Sequence, residues 1–220
     1  MSDATKNQRL RGGLIFLIAA LLAAGALATV YEFTRQRIAN NIAAERLRSL
    51  VEVLPVNAYN NEPHLDMIEV IDDELLGSTK PQAVYRARQN DRPVAAVISA
   101  VAPNGYSGTI YLLVGISVAG EITGVRVTKH QETPGLGDKI ETGKSDWIIN
   151  FDGLSGSDPL DTRWLLKRDG GDFDQISGAT VTSRAVINAV RNAMLYFSAN
   201  QMQIFSAPAP MQTQDINDGE

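Results

Sequence analysis

The longest uninterrupted apolar run lies close to the N-terminus. GGLIFLIAALLAAGALATVY covers residues 12–31 without a charged side chain. At about 1.5 Å of rise per residue, roughly 20 helical residues span about 30 Å, the thickness of a hydrocarbon core. Lys6, Arg9 and Arg11 precede the run, so the distribution of positive charge predicts a cytoplasmic N-terminus over residues 1–11. The pattern therefore predicts one transmembrane helix with the rest of the chain on the outer side.

A cleaved signal peptide is the alternative for this segment. Ala26, Leu27 and Ala28 resemble a cleavage site. Against it, the apolar run is longer than the roughly 7–15 residues of a signal-peptide core. An uncleaved anchor is favoured, and both alternatives put residues from about position 35 onward outside the cytoplasm.

After the apolar run the periodicity remains helical for a short distance and then breaks. Residues 34–54 carry apolar side chains at helical spacing, and Pro55 ends the pattern, so a helix is predicted to continue out of the membrane. Residues 56–80 combine Asn, Pro and an acidic cluster, which predicts irregular chain with room for one strand. Residues 32–80 are therefore predicted to form a helical connector followed by an irregular segment.

Alternating and continuously apolar segments then predict a β-rich core. Turn residues separate predicted strands at positions 83–88, 94–103, 108–118, 122–130 and 164–168. A short helix is expected at 142–151, and a long one at 180–199 is expected to bury Val186, Val190, Met194 and Phe197. Residues 81–200 are thus predicted as one α+β domain with a mostly antiparallel sheet and flanking helices. Residues 201–220 are predicted as a disordered tail.

Composition removes several kinds of partner and site. The 220 residues have a formal net charge of −5 and no long basic run, so nucleic acid is not expected as a partner. The absence of cysteine excludes cysteine-ligated iron–sulfur clusters, c-type haem attachment and thiol–disulfide chemistry. The two histidines, His64 and His130, lie far apart in the chain, so no metal site is predicted. An electron carrier of this composition is expected to use an organic cofactor.

The segment DFDQISGATVTSRAV, residues 172–186, places several hydroxyl side chains around the start of the last predicted helix. A helix N-terminus has unpaired N–H groups and about half a positive charge, which suit a phosphate. Gly178 permits close approach of the backbone, Ala179 leaves room beside it, and the hydroxyls of Ser177 and Thr180 face the same region. An ordinary helix cap explains the same residues. The segment by itself does not distinguish the two.

Two further glycine-rich loops offer backbone amides. HQETPGLGDK, residues 130–139, adds the charges of Glu132 and Lys139, although a surface turn explains this loop when it is taken alone. APNGYSGTI, residues 102–110, sets Tyr106 between two glycines. An aromatic ring in such a loop could stack on a planar ligand, and a hairpin turn is an equal explanation.

Together, the motifs GYSGTI, K-H-x-E-T-P-G-L-G and D-x-x-S-G-A-T resemble the extracytoplasmic FMN-binding domain. This domain occurs in the G subunit of the Rnf (Rsx) ion-translocating electron transport complex and in the C subunit of the sodium-pumping NADH:quinone oxidoreductase. The resemblance extends over nearly the whole chain, including the single N-terminal span. The short chain favours the Rnf protein of the two.

The resemblance implies that FMN is joined by a phosphoester to the threonine that ends the last motif, here Thr180, by a dedicated flavin transferase. That motif is complete in this sequence, with Asp174, Ser177, Gly178, Ala179 and Thr180 at its defined positions. The physics of the segment alone leaves Thr182 open as the attachment residue. The resemblance also implies which residues line the isoalloxazine ring: Tyr106, Glu132, Thr133, Gly135, Leu136 and Gly137. Charge near the ring, from Lys139 or Glu132, would tune its potential.

The implied function is that of a flavoprotein subunit anchored in the bacterial inner membrane, with its soluble domain on the periplasmic side. It would pass electrons to or from neighbouring membrane and redox subunits. Independent enzymatic activity is not expected, since the sequence shows no spare acid/base pair or nucleophile constellation. The alternative is a non-redox domain that uses the same helix end for an anionic ligand or a partner protein. A regulatory membrane flavoprotein is expected to have further spans or cytoplasmic cysteine motifs, and this sequence has neither.

Overall fold

A computed structural model describes residues 3–55, 57–156, 158 and 161–208. The described residues form two α-helices and five strands, in the order α1 (Asp3–Glu52), β1 (Met67–Asp72), β2 (Ser78–Gln89), β3 (Arg92–Ala102), β4 (Ile110–Ser117), β5 (Ile122–Lys129) and α2 (Thr180–Ser206). Short 3₁₀ helices lie between β5 and α2, at Gly137–Ile140, Asp146–Phe151, Thr162–Trp164 and Lys167–Asp169. The fold is α+β, as the sequence predicts.

Helix α1 contains the predicted membrane segment. Within the described residues it includes a stretch, Leu17–Arg35, of 19 residues with a mean hydropathy of 1.7, none of it buried. That length and composition suffice to cross a membrane, and an N-terminal signal sequence has the same properties. The chain divides into two compact units after Arg46, so the last residues of α1 belong to the folded domain.

The strands form one antiparallel sheet in the order of the chain, β1-β2-β3-β4-β5. The predicted antiparallel sheet is confirmed. Strand β2 begins at Ser78 and therefore extends beyond the predicted strand at 83–88. Its first residues are polar and exposed and pair with β1, for instance Val70 with Gln82. A strand whose first half is solvated has no apolar signal there, so its start was not predictable from hydrophobicity.

One face of the sheet packs against α2 and the other against the end of α1. The first contact buries Val84, Ile98, Leu112, Val114, Val186, Val190, Met194 and Phe197, which confirms the predicted buried face of α2. The second buries Leu50, Val53, Leu54, Ala87, Ala95, Val97 and Leu113. Both faces of the central strands are covered, which accounts for their almost continuous apolar sequence.

Two glycines of the sheet make room for Val53, the residue that directly follows α1. Gly115 and Gly124 are paired across β4 and β5. A Cβ on Gly115 would lie 2.1 Å from the carbonyl oxygen of Val53, and a Cβ on Gly124 would lie 2.9 Å from the Cα of Val53. The hydroxyl of Thr123 donates to the same carbonyl, and Arg126 Nε lies 2.9 Å from a carboxylate oxygen of Glu52. Close backbone approach, and not a positive φ, requires glycine at both positions.

The variant Gly115→Ala is expected to lower the free energy of unfolding by about 1–3 kcal/mol, because the added methyl forces the end of α1 off the sheet. Chemical denaturation followed by tryptophan fluorescence measures the change. Gly143→Ala is the matched control, since a Cβ there meets nothing within 4 Å. Equal stability of the two variants would contradict the tight fit.

Two sequence predictions about this domain are wrong, and the first concerns a strand. Residues 164–168 are not a strand, because the chain there forms 3₁₀ turns with one isolated bridge between Leu166 and Phe173. The apolar side chains of Trp164 and Leu166 are instead buried in the core. A short apolar run shows that a segment is buried but does not show which backbone conformation buries it.

The second wrong prediction concerns the start of the disordered tail. Helix α2 does not end at 199 but continues to Ser206, so the tail was predicted to begin too early. Ile204 is buried, and two guanidinium groups from β2 bind the last carbonyls of the helix. Arg86 donates to the carbonyl of Ile204 at 3.1 Å, and Arg88 to that of Phe205 at 3.0 Å. These partners lie more than a hundred residues away in sequence, so no local pattern indicates them. Residues 209–220 of the predicted tail lie outside the described residues.

Candidate functional site

A buried carboxylate connects the three loops that the sequence singles out. Glu132 is 4% exposed. Its Oε1 accepts a hydrogen bond from the backbone N–H of Ser107 at 3.0 Å, and its Oε2 accepts one from the hydroxyl of Thr182. One side chain therefore joins the loop before β4, the loop after β5 and the first turn of α2.

Two glycines make room for this carboxylate. A Cβ on Gly105 would lie 2.9 Å from Oε1 of Glu132, and a Cβ on Gly137 would lie 2.9 Å from Oε2. Neither glycine has a positive φ, so both are required by space and not by backbone conformation. Glycines from two separate motifs thus leave the space that the side chain of Glu132 occupies.

Leu136 forms a direct contact between the second and third loops. A Cβ on Gly178 would lie 3.0 Å from Cδ2 of Leu136, and Gly178 has a φ of 78°. The turn that presents Leu136 is closed by the carbonyl of Thr133, which accepts from the N–H groups of Leu136 and Gly137 at 3.1 and 3.0 Å. Gly135 provides the positive φ, 78°, inside this turn. Leu136 itself remains 44% exposed.

The segment before α2 is held at both ends by hydrogen bonds to its backbone. The indole N–H of Trp147 donates to the carbonyl of Asp174 at 2.6 Å. The N–H of Ile176 donates to Ser183 Oγ at 3.0 Å, and the carbonyl of Ile176 accepts from the N–H of Ala179 at 2.9 Å. Trp147 belongs to an aromatic cluster with Phe151, Trp164 and Phe173. The loop therefore rests on a rigid base.

Helix α2 begins at Thr180 without a side-chain cap. Ala179 occupies the N-cap position, and no side chain of the described residues accepts a hydrogen bond from the first turn in the manner of a cap. An ordinary cap by Ser177 or Thr180 is therefore wrong as an explanation of the hydroxyls. The hydroxyl of Thr180 instead donates to Oε1 of Gln175 at 2.9 Å. The first-turn N–H groups keep their capacity to bind an anion.

The four hydroxyls of this segment differ in their access to solvent. Thr182 and Ser183 are fully buried, at 0% exposure. Thr182 donates to Glu132, and Ser183 donates to the carbonyl of Ala179 at 3.0 Å. Thr180 is half-buried and Ser177 is exposed. Of the four, these last two can be reached from outside.

The charged residues around the helix start are mostly paired with each other. Asp174 is exposed and forms an ion pair with Lys167 at 2.6 Å. Arg184, in the first turns of α2, binds Asp169 through two nitrogens, with distances of 2.8–3.0 Å. Lys139 lies half-buried on the 3₁₀ helix that follows the Leu136 turn. Since Asp174 is already paired, its carboxylate holds Lys167 beside the loop.

Most of the candidate residues predicted from the sequence meet around the start of α2. Ser177 and Gly178 are exposed beside Thr180, Ala179 is buried beneath them, and Thr133 and Gly135 lie exposed on the turn of Leu136. Tyr106 lies on the loop before β4, next to Ser107, and its side chain is 72% exposed.

Sequence reasoning missed Gln175 and Trp147 as parts of this site. Trp147 binds a carbonyl 27 residues away, which no local pattern indicates. Gln175 stands at a position that D-x-x-S-G-A-T leaves open, so the motif gave no signal for it.

Comparison with known proteins identifies two matched regions. Residues 105–195 match the family described as an FMN-binding domain, and residues 1–53 match the one described as the RnfG N-terminal region. The first region contains Glu132 and both of its partners, Ser107 and Thr182.

Several curated proteins are similar over almost their whole length, and each of the following three is named as the G subunit of an ion-translocating oxidoreductase complex. The protein from Pseudomonas aeruginosa is 45% identical, covering 94% of this chain and 96% of its own. The one from Shewanella piezotolerans is 44% identical, covering 93% and 96%. The one from Pseudoalteromonas atlantica is 43% identical, covering 95% and 97%.

Proposed function

The chain belongs to the RnfG family, the G subunits of ion-translocating oxidoreductase complexes, and on that premise we propose that it holds FMN through a phosphoester to Thr180. The family makes it a flavoprotein subunit of an ion-translocating electron transport complex. FMN, when bound, supplies the transfer of electrons singly or in pairs. The chain itself supplies the attachment residue, orients the flavin and provides the charges around it.

The unequal exposure of two threonines is the observation that carries the assignment to Thr180. The sequence alone leaves Thr180 and Thr182 as competitors. Thr182 is fully buried and its hydroxyl donates to Glu132, so it is inaccessible to an external enzyme. Thr180 is accessible and stands at the first position of α2. Accessibility and the motif therefore favour the same residue.

The helix end fits the charge that such an attachment would leave. A phosphodiester keeps one negative charge, and an uncapped helix N-terminus stabilises it by about 0.3–1 kcal/mol at a surface position. The free N–H groups of the first turn are suitable donors to phosphate oxygens. This fit supports the proposal because no side chain of the described residues already occupies the cap.

Exposed apolar side chains on the first two loops and on the first turn of α2 suit the ring of the flavin. Leu136 is 44% exposed, Val181 47% and Tyr106 72%. We assign Tyr106 and the turn of residues 132–137 to the ring, with Lys139 supplying nearby charge. Glu132 is buried beneath these loops, so its proposed contribution is to hold them together and to place charge near the site.

The proposed location follows from the apolar helix. In this proposal residues 12–31 span the bacterial inner membrane, 1–11 lie in the cytoplasm, and the remainder of α1 leads to a periplasmic FMN-binding domain whose compact unit begins at Leu47. The other membrane and redox subunits of the complex are the electron partners. A flavin transferase acts on Thr180 outside the cytoplasm, where no FMN pool would refill an empty site and a covalent bond prevents its loss.

Intact-mass measurement tests the proposed attachment. Full-length chain produced together with a flavin transferase is expected to gain the mass of FMN less one water and to remain yellow after denaturation. Peptide mapping is expected to put the added mass on the peptide containing Thr180. The same chain produced without the transferase is the control and should be unmodified. Colourless, unmodified protein from a host that flavinylates this motif would instead favour the non-redox binding domain.

A further inference from the structure

Gln175 holds the hydroxyl of the proposed attachment residue. The hydroxyl of Thr180 donates to Oε1 of Gln175 at 2.9 Å, across five residues of chain. Arg168 Nη1 lies 3.4 Å from the same amide oxygen. The contact is at the surface, so its contribution to stability is small.

The backbone on both sides of Gln175 is fixed, which gives this contact a defined direction. The carbonyl before it is bound by Trp147, and the N–H after it is bound by Ser183. Thr180 is fixed in turn as the first residue of α2. Both partners therefore stand on anchored backbone, which narrows the positions that the two side chains can take relative to each other.

We propose that Gln175 is a positioning residue for flavin attachment, an inference that rests on the proposed function of Thr180. With its proton directed to the Gln175 amide oxygen, Oγ of Thr180 keeps its lone pairs free for an incoming phosphorus. The amide of Gln175 orients this oxygen and does not deprotonate it, because an amide oxygen is not a base at neutral pH.

The attachment step balances with a flavin dinucleotide as the donor, since its FMN phosphate is activated as a phosphoanhydride. Thr180 Oγ forms a bond to that phosphorus, and the phosphoanhydride P–O bond breaks. The nucleoside monophosphate leaves with the electron pair, and the hydroxyl proton leaves its hydrogen bond with Gln175 as the P–O bond forms and passes to a base of the transferase or to water. No oxidant or reductant takes part.

This role predicts a specific kinetic pattern for attachment. Loss of the orienting acceptor is expected to lower kcat of flavin transfer about tenfold, the size of one hydrogen bond used for positioning. KM for the chain should not change, because Gln175 is not proposed to bind the transferase. The pH profile should keep its shape, since no titrating group is removed.

The test compares Gln175→Met with Gln175→Glu in the full-length chain, using a purified flavin transferase and following the added mass over time. Methionine matches the length of Gln175 without an oxygen acceptor, whereas glutamate keeps one. Gln203→Met, at an exposed position near the far end of α2, is the control. The expected result is slow attachment for Gln175→Met, a rate within about twofold of the original for Gln175→Glu, and equal melting temperatures throughout.

Two outcomes would overturn the inference. One is attachment to Gln175→Met at the original rate, and the other is an equal loss in the Met and Glu variants, which would show that the oxygen acceptor is not what matters. A raised KM with unchanged kcat would also contradict it, since that pattern belongs to a docking residue. Failure of the unsubstituted chain to take up flavin would refute the proposed function instead, so the two failures are distinguishable.

Discussion

Thr180→Ala is expected to remove covalent flavin completely, so that the protein made with a flavin transferase has its unmodified mass and is colourless after denaturation. The reason is access: of the two competing threonines, Thr182 is fully buried and donates to Glu132. The variant should still fold, because the lost hydrogen bond to Gln175 is exposed and such contacts contribute about 0.5 kcal/mol or less. Intact mass and circular dichroism on the same sample measure both expectations.

Two matched variants complete this experiment. Thr182→Ser keeps a hydroxyl that can donate to Glu132 and is expected to retain the covalent flavin. Thr180→Ser keeps an accessible oxygen and should be modified at least in part. A Thr180→Ala protein that still gains the mass of FMN less one water would refute the assignment, and peptide mapping would then distinguish Thr182 from the exposed Ser177.

Glu132→Ala is expected to have the largest effect on stability, lowering the free energy of unfolding by about 2–4 kcal/mol. The carboxylate accepts from Ser107 and Thr182, and each donor left without a partner in a buried setting costs about 1–3 kcal/mol. The space against Gly105 and Gly137 would also be left unfilled. Chemical denaturation measures the loss of stability. Flavin attachment should fall as well, because the three loops are no longer held together.

Glu132→Gln separates the shape of this side chain from its charge. The amide oxygen can accept from Ser107 and the amide nitrogen can donate to Thr182, so most of the geometry is kept. We expect a loss of about 1 kcal/mol and nearly normal flavin attachment. If Glu132→Ala were as stable as the unsubstituted chain, the carboxylate would not be the link between the loops.

The sequence predicted the elements whose signal is local. Alternation and turn residues indicated the antiparallel strands β3 to β5, and the apolar spacing of Val186, Val190 and Met194 indicated the buried face of α2. The start of α2 at Thr180 also agrees with the prediction. These features depend on side chains a few residues apart, which is the range over which periodicity carries information.

Elements that depend on distant partners were not predictable in this way. In the segment at 164–168, which was predicted as a strand, Trp164 and Leu166 are buried in the core, and Trp164 packs against Phe151 and Phe173. The last turn of α2 is held by Arg86 and Arg88 of β2. In both cases a contact across the fold overrides a weak local preference.

For the candidate site, the sequence by itself determined which loops matter and which chemistry they suit. Only the tertiary structure decided how the residues divide their roles, because hydroxyls two residues apart in sequence lie on different sides of a helix. Helix geometry turns Thr182 inward to Glu132 and leaves Thr180 outward beside Gln175. The space for that inward contact comes from Gly105 and Gly137 in two other loops, whose approach depends on the packing of the whole domain.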